Sequence, residues 1–112
     1  MTRDEATRLA HDVGKYVARI ARNAPAEGPF PAALVPMLVK DLYALPGGKR
    51  ASERFVELAP DEVAMAPLHA ALTEIDALEE RVRAGDDEAC RRACVRALEV
   101  EAALRAYARE AR

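Results

Sequence analysis

Apolar side chains recur at Leu9, Val13, Tyr16, Val17 and Ile20, a spacing of three and four that winds into one stripe on a helix. Asp4, Arg8, His11, Lys15 and Arg22 fall on the opposite side. Thr2 followed by Glu5 forms the S/T-x-x-E box that satisfies the first amides of a helix, so the pattern predicts a first helix over residues 2–23. Pro25, Gly28, Pro29 and Pro31 cannot continue it together. A second helix is predicted over 31–45, with Leu34, Leu38, Leu42 and Leu45 on one side; Pro36 either kinks it or is its real first-turn residue. The run Pro46-Gly47-Gly48-Lys49-Arg50 breaks the chain again, and a short helix over 52–58 should carry Phe55 and Val56 inward.

A third helix is predicted from Pro60-Asp61-Glu62, where a first-turn proline and acids suit the positive end of the helix dipole, to Ala84, with Gly85 as a left-handed stop. Leu68, Ala71, Leu72, Ile75, Leu78 and Val82 form its inward stripe, and Pro67 either confines the first turn to a separate bend or begins the helix. Asp86 should cap a fourth helix over 87–111 that buries Cys90, Ala93, Cys94, Ala97, Val100, Leu104, Tyr107 and Ala108. The tight connection at 84–87 makes the last two helices an antiparallel hairpin.

Composition agrees with this pattern. Aromatics are 4% of the residues, and the β-branched alternation of strands is missing. The expected fold is all-α: one domain over 1–112, a four-helix, mostly antiparallel bundle with a short extra helix in the 46–60 connection. A chain of 112 residues, 51% hydrophobic, is long enough for one core without staples. Seventeen basic against nineteen acidic residues, interspersed, leave no sustained field for nucleic-acid phosphates, so nucleic acid is not an expected partner. No membrane span is expected, because no stretch approaches roughly 18 consecutive apolar residues. The start MTRDEATR lacks the apolar core of a secretory signal, and the expected location is cytoplasmic. Cys90 and Cys94 lie four apart on one helix, where a disulfide would strain the backbone. They supply at most half a zinc site and read as small core residues, so no metal or other cofactor is expected.

The densest chemistry is His11-Asp12-Val13-Gly14-Lys15. His11 lies nearly opposite the apolar stripe and should face water. A free imidazole is partly neutral at physiological pH, and a neutral exposed nitrogen is what a phosphoryl acceptor needs. Asp12 could hold the ring or take its proton, and Lys15, one turn on, could stabilise phosphoryl oxygens. The competing reading is a solvated polar face that includes a histidine.

Two families share this string. The segment HDVGKYVARIARN resembles the phosphoacceptor helix of histidine-kinase dimerisation domains and the related bundle phosphotransferases, in which His, an acid and an apolar residue follow one another on an exposed helix. That resemblance implies His11 as acceptor and Asp12 as its acid/base neighbour. It departs from the pattern in Lys15, in a missing proline, and in the order Gly14-Lys15, which phosphotransfer domains reverse. With no nucleotide-binding domain in the chain, it implies a phosphotransfer or docking module rather than a kinase, with a receiver domain or another signalling protein as partner. HDVGK is also similar, letter for letter, to the metal-binding helix of HD-type phosphohydrolases, which would make His11 and Asp12 metal ligands. His69 and Asp76 are the sole candidates for the remaining ligands, in the wrong chain order.

Other features carry less. His69 and Asp76, with Thr73 between them, lie on one helix flank and could hydrogen-bond, or His69 is an edge-of-core histidine. Gly47-Gly48-Lys49 is not a phosphate loop, since Arg50 stands where Ser or Thr should and no strand precedes it. Lys40, Lys49, Arg50 and Arg54 form either a small basic docking spot or an ordinary exposed connection. Phe30, Leu34, Val35, Met37, Leu38, Val39, Leu42 and Leu45 make the second helix apolar on more than one face. Either it is central, or its second face meets another chain, in a homodimer or a partner groove. The expected function is a small helical signalling module with His11 as phosphoacceptor and Asp12 and Lys15 beside it. The alternative is a catalytically silent adaptor or scaffold that binds a protein through the second helix, and a third reading is a metal-dependent phosphohydrolase. No complete catalytic constellation is present, so the chain is not expected to be an enzyme.

Overall fold

A computed structural model of the chain describes residues 1–59 and 65–110. These residues form seven α-helices: α1 (Arg3–Gly14), α2 (Val17–Asn23), α3 (Val35–Tyr43), α4 (Ala51–Leu58), α5 (Ala66–Ala77), α6 (Glu79–Arg83) and α7 (Asp87–Glu110). A 3-10 turn, Ala32–Leu34, leads into α3. The fold is all-α as the sequence predicts, but the expected four long helices and one short one become seven. The first breaks at Lys15 and Tyr16, and the third breaks at Leu78.

Where local rules act alone, the predicted boundaries hold. Thr2 caps α1 through the full box: its amide donates to Glu5 Oε1 at 2.8 Å, and the Glu5 amide donates to Thr2 Oγ1 at 3.1 Å. Asp86 accepts the Ala89 amide at 2.8 Å and so opens α7. Pro36 and Pro67 both stand in the first turns of their helices and kink neither. The start expected at Pro60-Asp61-Glu62 lies outside the described residues. Helix α3 stops at Tyr43, two residues early, and Leu45 to Lys49 reverse the chain, the Leu45 amide donating to the Lys49 carbonyl at 2.9 Å. Gly47 and Gly48 carry φ of 87° and 71° there, a conformation that a side chain would oppose.

The long helix α7 spans about 36 Å at 1.5 Å per residue and forms the spine of a molecule 43 Å long. Helices α1 and α5 pack along it, and α3 lies in the middle, touching α1, α2, α4, α6 and α7. Ile20, Leu38, Leu42, Phe55, Ile75, Val82, Val100 and Leu104 are fully buried in one continuous cluster. Leu34, Val35, Met37 and Val39, the second apolar face of this segment, pack partly buried against the same core. The chain's own core therefore covers part of this second face. Val56 is a correction: expected inward, it is 49% exposed while Phe55 beside it is buried. Cys90 and Cys94 are free and buried, and burial pushes both thiols up, Cys94 to about 12.

Both helix breaks have a visible cause in α3. The Tyr16 amide, which would donate to the Asp12 carbonyl in an unbroken helix, donates instead to Asp41 Oδ2 at 2.8 Å. At the other break the Tyr43 hydroxyl donates to the Ile75 carbonyl at 2.6 Å, the acceptor that Glu79 would otherwise use. Residues two apart on a helix point to nearly opposite sides, so Asp41 and Tyr43 serve one break each.

Candidate functional site

Capping and packing fix the orientation of α1. Ala6, Leu9, Ala10 and Val13 are buried, which turns His11 to solvent as predicted. Its ring makes no hydrogen bond, ion pair or ring contact among the described residues. Arg8, three residues earlier, and Lys15, four later, share its helix flank, and both are exposed.

Asp12 does not hold the histidine, and no hydrogen bond joins the two. Half-buried, it turns inward and lines two small cavities. One, of about 110 Å³, is bounded by Glu5, Arg8, Leu9, Arg54 and Leu58, between α1 and α4. The other, of about 100 Å³, lies between the end of α1 and α3, with Lys15, Tyr16, Lys40 and Asp41 in its wall. The Lys15 ammonium sits 5.2 Å from the centre of the Tyr16 ring. The expected group is thus divided between His11 and Asp12: the imidazole faces water and Asp12 borders a cavity that His11 does not line, whereas Lys15, exposed on the His11 flank, reaches the rim of that cavity.

Asp41 is the residue that sequence reasoning missed. Its side chain is 2% exposed, and burial pushes its carboxyl up to about 6, opposed by the Tyr16 and Val17 amides and the Lys15 charge. A signal was present. Asp41 stands three residues after Leu38 and four before Leu45, on the apolar stripe itself.

The remaining candidates resolve structurally. His69 and Asp76 do not pair: the imidazole meets the Phe55 ring edge-on at 4.6 Å, and Asp76 accepts from Ser52 Oγ at 2.5 Å. Burial pushes the Asp76 carboxyl up, the Ser52 bond opposing it. Three of the four cations of the suspected basic spot are tied to carboxylates. Lys49 pairs with Glu57, Arg54 with Glu57 at 3.0 Å, and Arg50 with Glu53 at 3.1 Å and Glu79 at 2.6 Å. Lys49 holds the Glu57 carboxyl below its ordinary range. Only Lys40 of the four borders a cavity without such a pair.

No group of three or more His, Cys, Asp or Glu side chains is gathered to hold a metal ion among the described residues. His11 faces solvent, Asp12 turns toward α3 and α4, and His69 packs on Phe55, so the residues present do not fit the ligand set that the hydrolase resemblance implies. No helix among the described residues is long and apolar enough to cross a membrane. Comparison with protein-family models, curated proteins and solved structures finds no match to this chain, so both resemblances rest on the residues that carry them.

Proposed function

We propose that the chain is a small helical signalling module in which His11 takes a phosphoryl group and passes it to a partner such as a receiver domain. One observation carries this reading: an exposed imidazole with no partner among the described residues, flanked at −3 and +4 by the cations of Arg8 and Lys15, on a helix anchored against α7. A neutral ring nitrogen attacks the phosphorus of the donor, the N–P bond forms, and the bond to the leaving oxygen breaks with its electron pair. The proton on the other nitrogen is lost to water, since Asp12 turns away, and Arg8 and Lys15 stabilise charge on the transferred oxygens. In this reading α1 with α2, α3, α5 with α6, and α7 act as the four rods of a mostly antiparallel bundle, in a cytoplasmic relay. The scaffold reading through α3, or a homodimer built on it, draws less support, because the apolar side chains of α3 pack within the chain.

The test is incubation of the full chain with acetyl phosphate and with phosphorylated receiver domains, reading intact mass. An acid-labile gain of one phosphoryl group is expected on wild type and on His69→Ala, and none on His11→Ala. No gain from any donor would overturn the reading, and Leu38→Asp, scored for partner binding and for folding, would then test the scaffold alternative.

A further inference from the structure

The junction of α1 and α2 is held by something that neither helix supplies. One backbone amide at the start of α2, that of Tyr16, donates to a carboxylate on another helix, Asp41 Oδ2, at 2.8 Å, and the neighbouring Val17 amide adds a weaker pull on its charge. That carboxylate is not sealed in the core: it borders the cavity of about 100 Å³ with Asp12, Lys15 and Lys40, a route by which a proton can arrive. Tyr16 is the N-cap of α2 and makes no side-chain capping bond, so the grip on this end of the helix comes from Asp41.

We propose that Asp41 is a proton-operated latch on the α1–α2 junction, gripping the Tyr16 amide when charged and loosening it when protonated. A charged acceptor makes the shorter and stronger hydrogen bond, so loss of the charge weakens the grip at the bond that defines the break. Burial places the carboxyl near 6, which sets the switch inside the physiological range. The charged and titratable groups that face it are Asp12 and Lys15 at the end of α1, Tyr16 at the break, Lys40 on its own helix and the Cys94 thiol on α7. Lys15 favours the charged form, whereas Asp12 opposes it. The latch goes beyond the phosphoacceptor reading and does not depend on it, although it bears on how Lys15 is presented beside His11.

The experiment is an NMR titration of the full chain from pH 4.5 to 8, following the Asp41 side-chain carboxyl carbon together with the Tyr16 amide proton. The expected result is one shared midpoint near 6. The Tyr16 proton should move upfield and lose about fivefold of its exchange protection on the acid side. His11 also lies near the junction, so the titration is repeated on His11→Gln, which should keep the transition, and on Asp41→Asn, which should abolish it. A flat Asp41 carboxyl, or a Tyr16 transition that disappears in His11→Gln, would overturn the proposal. Should Asp41→Asn fail to fold, the carboxyl carbon of the unsubstituted chain still decides.

Discussion

The chain leaves its helical path twice, at Lys15–Tyr16 and at Leu78, and α3 reaches into both places with chemically opposite groups. Asp41 offers an acceptor to a stranded amide, whereas Tyr43 offers a second donor to the Ile75 carbonyl, which has lost its Glu79 partner. The acceptor is a carboxyl that burial lifts to about 6, beside a small cavity bordered by charged side chains. The donor is a phenol that burial pushes further above its ordinary value, so it stays protonated throughout the physiological range. The Leu78 amide also spans the Glu74 and Ile75 carbonyls at 3.2 and 3.1 Å, so that break has backbone support of its own. One break is therefore conditional on pH, and the other is built as permanent structure.

The comparison is broken most severely at Tyr43, which is 3% exposed and carries both packing and the bond to Ile75. Tyr43→Ala should cost about 3–5 kcal/mol in denaturant unfolding, most of it from the void left by the ring. Tyr43→Phe keeps the ring and removes only the donor, so about 1 kcal/mol is expected. A cost for Tyr43→Phe as large as that for Tyr43→Ala would mean that the hydroxyl, not the ring, holds the second break.

Changes at Asp41 should be smaller and pH-dependent. Asp41→Ala strands the Tyr16 amide, at about 1–3 kcal/mol, but it also removes a charge that is costly to bury. Asp41→Asn retains an acceptor and should stay within about 1 kcal/mol of wild type near neutral pH. The folded carboxyl titrates near 6 against an ordinary 3.8, so the native state binds the proton more tightly than the unfolded chain. Its contribution to stability is complete below about pH 4 and is lost as pH rises through 6, by at most about 3 kcal/mol. The difference in unfolding free energy between wild type and Asp41→Asn should therefore shift in favour of Asn from pH 4 to 7. Tyr43→Phe should leave this slope unchanged. The latch and this slope are compatible: the charged form grips the junction more tightly, yet its desolvation outweighs the bonds it gains.

These breaks also show how far the sequence could be read. The Thr2–Glu5 box, the Asp86 cap, the buried stripe of α7 apart from the half-buried Tyr107, and the outward face of His11 follow from rules that act within one or two turns, and they are observed. The breaks follow from α3 packing against segments 25 and 32 residues away in sequence. Nothing in the periodicity of residues 2–23 announces that a foreign carboxylate will take the Tyr16 amide. The division of His11 from Asp12 is local in origin, since neighbours on a helix point about 100° apart; reading the five-residue string as one cluster overlooked that. Asp41 was within reach, because an acid on an apolar stripe must be partnered where it is buried.

The smallest effect separates a local from a tertiary origin of the first break. Gly14 ends α1, and glycine favours helix interruption by about 1 kcal/mol relative to alanine. A Cβ at Gly14 would meet the Glu101 side chain, with its Oε2 only 1.6 Å away. That oxygen is buried with no hydrogen-bond partner, and it is the far end of a flexible chain whose other oxygen holds Arg105 at 3.2 Å. The Glu101 Cδ and Cγ would also lie 2.3 and 2.9 Å from the new Cβ, so the whole side chain must rotate and release Arg105, and Gly14→Ala should change stability by no more than about 1 kcal/mol, helix propensity offsetting the loss of that exposed pair. The informative measurement is the position of the Tyr16 amide proton. If it keeps the shift and pH midpoint of wild type, the carboxylate of Asp41 sets the break; if alanine alone carries α1 through Tyr16 into α2, the glycine did, and Asp41 only occupies a gap made for it.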